Sequence, residues 1–231
     1  MAYRLIIIFL FSYFVGFSQD SAKVFGLLQQ SSQALKKSDV KNSLQLAHQA
    51  LSFSNSNSYN KGLANVYNQL GIIFESQSKY DSANYYLLKS VDIAQSPTLK
   101  NELAVAHNLL GLVLWHQSQY KEALPHHAIS LSLFKETGNQ KGLADTYAKT
   151  GNVFYDLSDF PKSLDNFLQA LKTYGNIKDS AGIADVCNYI GKVYNRLNEK
   201  ESAKKYLFKA LSLHQKFQNN RGIAVSYNGL G

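Results

Sequence analysis

The sequence predicts an all-α fold, a solenoid of antiparallel helix hairpins, and three observations predict it. Gly71, Gly111, Gly151, Gly191 and Gly231 stand 40 residues apart, as do Ala64, Ala104, Ala144, Ala184 and Ala224. Within each block, apolar residues recur at intervals of three and four, the spacing of one helix face. Composition agrees: 45% of residues are hydrophobic, 17% are charged and three are proline. That suits packed helices and not the Gly/Pro-dense turns of an all-β chain.

The chain opens on a segment of different character. Arg4 precedes an apolar run from Leu5 to Phe17, and Gly16 and Ser18 place small residues just before Gln19. A positive start, a short apolar core and small residues read as a signal peptide over residues 1–18. The run is shorter than the roughly 20 residues a membrane-spanning helix needs, although an uncleaved leader would act as an anchor. No cysteine follows it, which excludes a lipoprotein anchor. The expected destination is across the cytoplasmic membrane, periplasmic or membrane-anchored with the repeats outside.

Residues 19–61 read as a degenerate N-terminal hairpin or cap. One helix is expected over Ala22–Lys36 and another over Val40–Ser54, with Ser31 where later units have glycine. A polar linker (Asn55–Asn60) follows.

The array proper spans 62–231, with repeats about 62–100, 101–140, 141–180 and 181–220, and a partial fifth over 221–231. In the first, a helix over Gly62–Gln77 turns Leu63, Val66, Tyr67, Leu70 and Phe74 inward. A polar turn (Ser76–Lys79) leads to a second helix over Asp81–Gln95, with Ala83, Tyr86, Leu87, Ser90 and Val91 inward. The small residues mark where the helices of a hairpin approach closely; a bulky residue there costs about 1–3 kcal/mol by overpacking. No hairpin buries its stripe alone, so each must stack on the next. Pro161 falls in a helix's first turn, where its missing N–H is harmless. Pro97 lies between repeats, and Pro125, about five residues into a helix, is expected to kink it. The chain ends mid-repeat, Gly231 aligning with Gly191. A solenoid ending there exposes an apolar face, so a longer protein is expected.

The unit Tyr67-x-x-Leu70-Gly71-x-x-Phe74, with Ala83 and Leu87 after it, resembles the tetratricopeptide repeat. His107, Leu110, Gly111, Leu114 and Ala123 repeat the pattern, as do Tyr147, Gly151 and Phe154, and Ile190, Gly191, Tyr194 and Ala203. The period is 40 rather than the usual 34, which resembles the long-helix subclass. The resemblance implies a right-handed superhelix whose first helices line a concave groove. A leader followed by such repeats resembles the extracytoplasmic region of bacterial signalling proteins.

Groove-facing positions should recur on the first helices. Asn68, Asn108, Asn188 and Asn228 do so at the repeat period, with Ala148 breaking the series. A side-chain amide carries two donors and an acceptor, so a row of them could grip a peptide backbone, as the resemblance to asparagine ladders implies. The same amides could instead bond neighbouring helices or water. Around them the expected groove carries Trp115, Lys149, Asn152, Tyr155, Tyr189, Lys192 and Arg196. Mixed aromatic and basic groups suit an acidic or carboxylate-bearing ligand, and equally an ordinary amphipathic surface.

Other chemistries find little support. Cys187 is the single cysteine and lies on an apolar helix face, where a structural thiol is expected. His107, His116, His126 and His127 neither repeat nor share ligand spacing with an acid or cysteine, so no metal is expected. The net charge of +8 is spread without a basic run, which points away from nucleic acid. No phosphate loop, H-E-x-x-H or G-x-S-x-G motif occurs, so neither an enzyme nor a cofactor is expected within this chain. The expected function is binding a protein or peptide, the sensor or scaffold part of a longer signalling protein. The alternatives are a structural adaptor of an envelope complex and an accessory region of an enzyme.

Overall fold

The computed structural model describes residues 21–231, and the leader lies outside them. The described residues are helices joined by short turns. In chain order they are α1 (21–36), α2 (Val40–Ser56), α3 (Asn60–Ser76), α4 (Tyr80–Ile93), α5 (Lys100–His116) and α6 (Tyr120–Thr137). Then come α7 (Gln140–Asp156), α8 (Phe160–Asn176), α9 (Ser180–Arg196), α10 (Lys200–Lys216) and α11 (Asn220–Leu230). None of these helices is long and apolar enough to cross a membrane. The fold class is an all-α solenoid of hairpins.

Underneath the 40-residue period lies one of 20. Ser38, Ser58, Ser78, Ser118, Ser158, Lys178, Asn198 and Gln218 have φ between 50° and 62°, and Gly138 has 72°. Each ends a helix in the left-handed conformation. After α3, Ser78 N–H donates to Glu75 O (2.8 Å) and Lys79 N–H to Phe74 O (2.9 Å). This satisfies carbonyls that the helix end leaves open. The run Asn55–Asn60, expected as a linker, is one of these turns: α2 continues to Ser56 and α3 starts at Asn60. At position 98 a 3-10 turn, Pro97–Leu99, takes the place of the left-handed residue.

Helix starts are capped where a short polar side chain is present. Asp39, Asn139, Asp159, Asp179 and Asn219 accept from the backbone N–H three residues on, at 2.9–3.2 Å. Pro161 sits in the first turn of α8. The α6 helix continues through Pro125.

The chain divides into two compact units within α5, after Leu109. In the first, Val24, Ala47, Ala50, Val66, Leu70 and Ile73 form the core. Ser31, standing where later units have glycine, is buried and exchanges hydrogen bonds with Ser43: each hydroxyl donates to the other's carbonyl, at 2.8 and 2.9 Å. In the second, Ala144, Phe167, Ala170, Tyr174, Val186, Ile190 and Val193 form the core.

The repeated glycines have a more specific role than close helix crossing. Gly71 is covered by the side chain of Leu87, and Gly151 by that of Phe167: a Cβ there would lie 2.5 and 2.7 Å from them. A large residue of the second helix thus sits on the glycine of the first. In a second glycine series, Gly142, Gly182 and Gly222 do the same between successive hairpins, whereas Gly62 is covered by Tyr59 and Ser54. Phe134 covers Gly142 and Tyr174 covers Gly182.

Candidate peptide-binding pocket

In the second unit, first helices α7 and α9 lie side by side with the end of α5. The 17-residue α9 presents Tyr189, Lys192 and Arg196 at intervals of three and four, hence on one face. By the same rule α7 presents Asn152, Tyr155 and Asp156. With Trp115 from α5 they enclose a pocket of about 210 Å³ lined by Trp115, Asn152, Tyr155, Asp156, Tyr189 and Lys192. Five of these were expected groove residues; Asp156 is an addition.

The pocket's walls are held by specific contacts. The Trp115 indole N–H donates to Asp156 Oδ2 at 2.6 Å, so the carboxylate orients the indole. Tyr189 stacks on Phe167, with ring centres 5.3 Å apart and planes 6° apart. Asn152 hydrogen-bonds the Tyr189 side chain, and burial raises the Tyr189 pKa, favouring the neutral phenol. Lys192 Nζ lies 5.6 Å from the Tyr189 ring centre. Arg196 Cζ is 5.9 Å from the ring centres of both Tyr155 and Phe160. The cations therefore rest on aromatic faces, their stems packed and their charges toward water.

The other expected groove residues have different surroundings. Asn68, Asn108 and Asn188 are buried, at 3%, 7% and 4% exposure, and so offer no amide row on a surface. The Asn68 amide donates to Glu102 O at 3.1 Å. Asn188 meets His214 Nε2 at 3.1 Å, and its Oδ1 accepts from Ser226 at 2.8 Å. These two asparagines tie each first helix to the hairpin that follows, the structural alternative named above. The Asn68 N–H thus meets a carbonyl out of water, while its Oδ1 is buried without a partner. Lys149 is half-buried on α7, near His127 and outside the pocket lining. Asn228 is exposed on α11.

Cys187 is buried and its thiol pKa is pushed up to about 11 by that burial, which keeps it protonated. Among the described residues no group of three or more His, Cys, Asp or Glu stands together as metal ligands would.

Sequence models described as tetratricopeptide repeat match residues 102–176 and 184–217. Comparison with curated proteins gives no match. Several solved structures share the fold. The Rap conjugation gene regulator of plasmid pLS20, solved in complex with the Phr* peptide, has a TM-score of 0.75 at 15% identity, over 91% of this chain and 58% of that one. BtubC from P. vanneervenii has a TM-score of 0.69 at 15% identity, over 87% and 90%. PilF from Pseudomonas aeruginosa has 0.64 at 14% identity, over 90% of each. At these identities the likeness is one of fold.

Proposed function

This chain is a tetratricopeptide repeat protein, a protein-binding repeat module, and we propose that it takes hold of a carboxylate-bearing peptide segment at the pocket formed by α5, α7 and α9. The observation that carries this reading is the joining of Lys192 and Arg196, one turn apart on α9, to the aromatic walls Trp115, Tyr155 and Tyr189. Aromatic walls accept an apolar side chain, while paired cations attract a carboxylate beside it. The single acid of the pocket, Asp156, is engaged by the Trp115 indole. A fold neighbour solved with a bound peptide supports the same ligand class.

On this reading the chain is a non-catalytic module whose output depends on what it holds. The leader pattern around Arg4, Gly16 and Ser18 supports export, with the repeats serving outside the cytoplasmic membrane as the sensor or scaffold of a signalling protein. Fractionation of a reporter fusion tests that placement; a reporter retained inside the cell contradicts it.

A second reading is an adaptor that assembles a complex through its second helices. Leu168 and Phe208 stand 40 residues apart on α8 and α10 and are exposed. Apolar side chains exposed at matched positions suit a protein contact.

Calorimetry separates the two. The first reading predicts that an acidic hexapeptide of alternating glutamate and leucine binds, while its lysine counterpart does not. Replacing Lys192 and Arg196 together by alanine should weaken the acidic peptide at least about tenfold. Indifference to peptide charge, or to the double substitution, would refute it. Loss of self-assembly or partner assembly on Phe208→Glu alone would favour the adaptor.

A further inference from the structure

We infer that the first unit holds a second binding site of opposite preference: the cavity between α1, α3 and α5 takes a cationic side chain, a guanidinium or ammonium on an apolar stem, presented by a peptide. The inference starts from a break in the repeat. Positions 62, 142, 182 and 222 are glycine, but position 102 is glutamate. At Gly142 and Gly182 the missing side chain makes room for Phe134 and Tyr174 of the preceding helix. The equivalent position before Glu102 is Ala94, which needs no such room. Here a small residue, Ala94 just past the end of α4, stands opposite a carboxylate on α5. A local departure from a consistent pattern is where function is expected.

Glu102 is 3% exposed. Its Oε1 lies 3.6 Å from Lys61 Nζ, and the lysine is itself largely exposed. A buried carboxylate is expensive unless closely paired, and this pairing is long and made by a solvent-exposed partner. A cation entering from the cavity would complete it.

The cavity has the shape for one. Its volume is about 800 Å³, within the range of about 300–1,000 Å³ found for ligand sites. Val24, Phe25, Leu28 and Ile72 supply apolar wall, and Glu102 lines the same space. Phe25 is 70% exposed, an aromatic face open to a cation or its stem. The Asn68 amide, bonded to the Glu102 carbonyl, fixes this turn of α5 to α3. An apolar passage with a carboxylate along it matches a long side chain carrying a terminal charge.

The site shares no residue with the α5–α7–α9 pocket, and its test is independent. The full chain is titrated in a calorimeter with acetyl-leucyl-arginine amide and with its citrulline twin, which has the same shape and no charge. The arginine peptide should bind at least about tenfold more tightly, and Glu102→Gln should abolish the difference. Lys61→Met, on an exposed position, removes the built-in competitor and should raise affinity for the arginine peptide. Saturating acidic hexapeptide should not displace it. If the acidic peptide itself fails to bind, the arginine and citrulline arms still decide this site. Equal binding of the two probes, no binding of either, persistence of the difference in Glu102→Gln, or weaker binding in Lys61→Met would overturn the assignment. Should Glu102→Gln fail to fold, the Lys61→Met titration decides.

Discussion

The imidazole of His127 lies on Gly111, close enough that a Cβ there would come within 2.7 Å of the ring. Its counterparts in other repeats, Leu87, Phe167 and Leu207, are apolar and cover Gly71, Gly151 and Gly191. Neither ring nitrogen of His127 has a hydrogen-bond partner. Burial lowers its pKa to about 3, with the nearby Lys149 adding to the effect. In the unfolded chain the ring takes up a proton near pH 6.5. The folded state refuses that proton until about pH 3, so stability is lost as pH falls between these values, by about 1.4 kcal/mol per unit. His127→Phe should raise the melting temperature at pH 7 and remove this share of the acid sensitivity. Melts at pH 7 and pH 4.5 measure it; parallel losses in both proteins would contradict it.

The helix-ending turns offer a second test. Ser118 and Ser158 hold φ of 60°, a region that disfavours side chains. Replacing either by glycine should stabilise by up to about 1 kcal/mol, and Gly138→Ser should destabilise by a similar amount. Denaturant midpoints decide, and equal midpoints would show that these turns carry no strain.

The glycines of the helices should divide by what covers them. Gly182→Ala brings a Cβ to 2.5 Å from Tyr174 and should cost about 1–3 kcal/mol. Gly175 in α8 has nothing within 4 Å, so Gly175→Ala should stabilise by about 0.5–1 kcal/mol through helix propensity. The two substitutions are chemically identical, so opposite signs in denaturant unfolding isolate the packing effect.

Asn188 should behave as a structural residue. Asn188→Ala removes the amide partner of buried His214 Nε2 and one of the two acceptors of the buried Ser226 hydroxyl, which keeps Gly222 O. The expected loss is about 1–3 kcal/mol of folding stability. A variant with normal stability and weakened peptide binding would return Asn188 to the groove.

The hairpins were legible because their cause is local: apolar spacing and a repeated glycine appear in any sequence that stacks such helices. The 20-residue turn period was hidden because serine, lysine, asparagine, glutamine and glycine all occupy it, so only backbone angle unites Ser78, Lys178 and Gln218. The glycine series at 62, 142, 182 and 222 was visible at the same period, and its meaning needed the aromatic that covers it. For the asparagines, residue type and period were readable but direction was not, since an amide gripping a peptide and one gripping the next helix look alike in sequence. Trp115, Asn152, Tyr155, Tyr189 and Lys192 were legible as a group because first-helix positions converge. The Trp115–Asp156 bond spans 41 residues and depends on side-chain direction.

Trp115 is the chain's single tryptophan and forms a wall of the candidate pocket, so its fluorescence reports on that site alone. The decisive measurement is its emission during titration with the acidic hexapeptide, in the native chain and in Lys192→Ala. Peptide capture at this pocket predicts a saturable change in the native chain and a midpoint about tenfold higher in the variant. Emission that stays constant while calorimetry shows peptide bound, or identical curves for the two proteins, would contradict it.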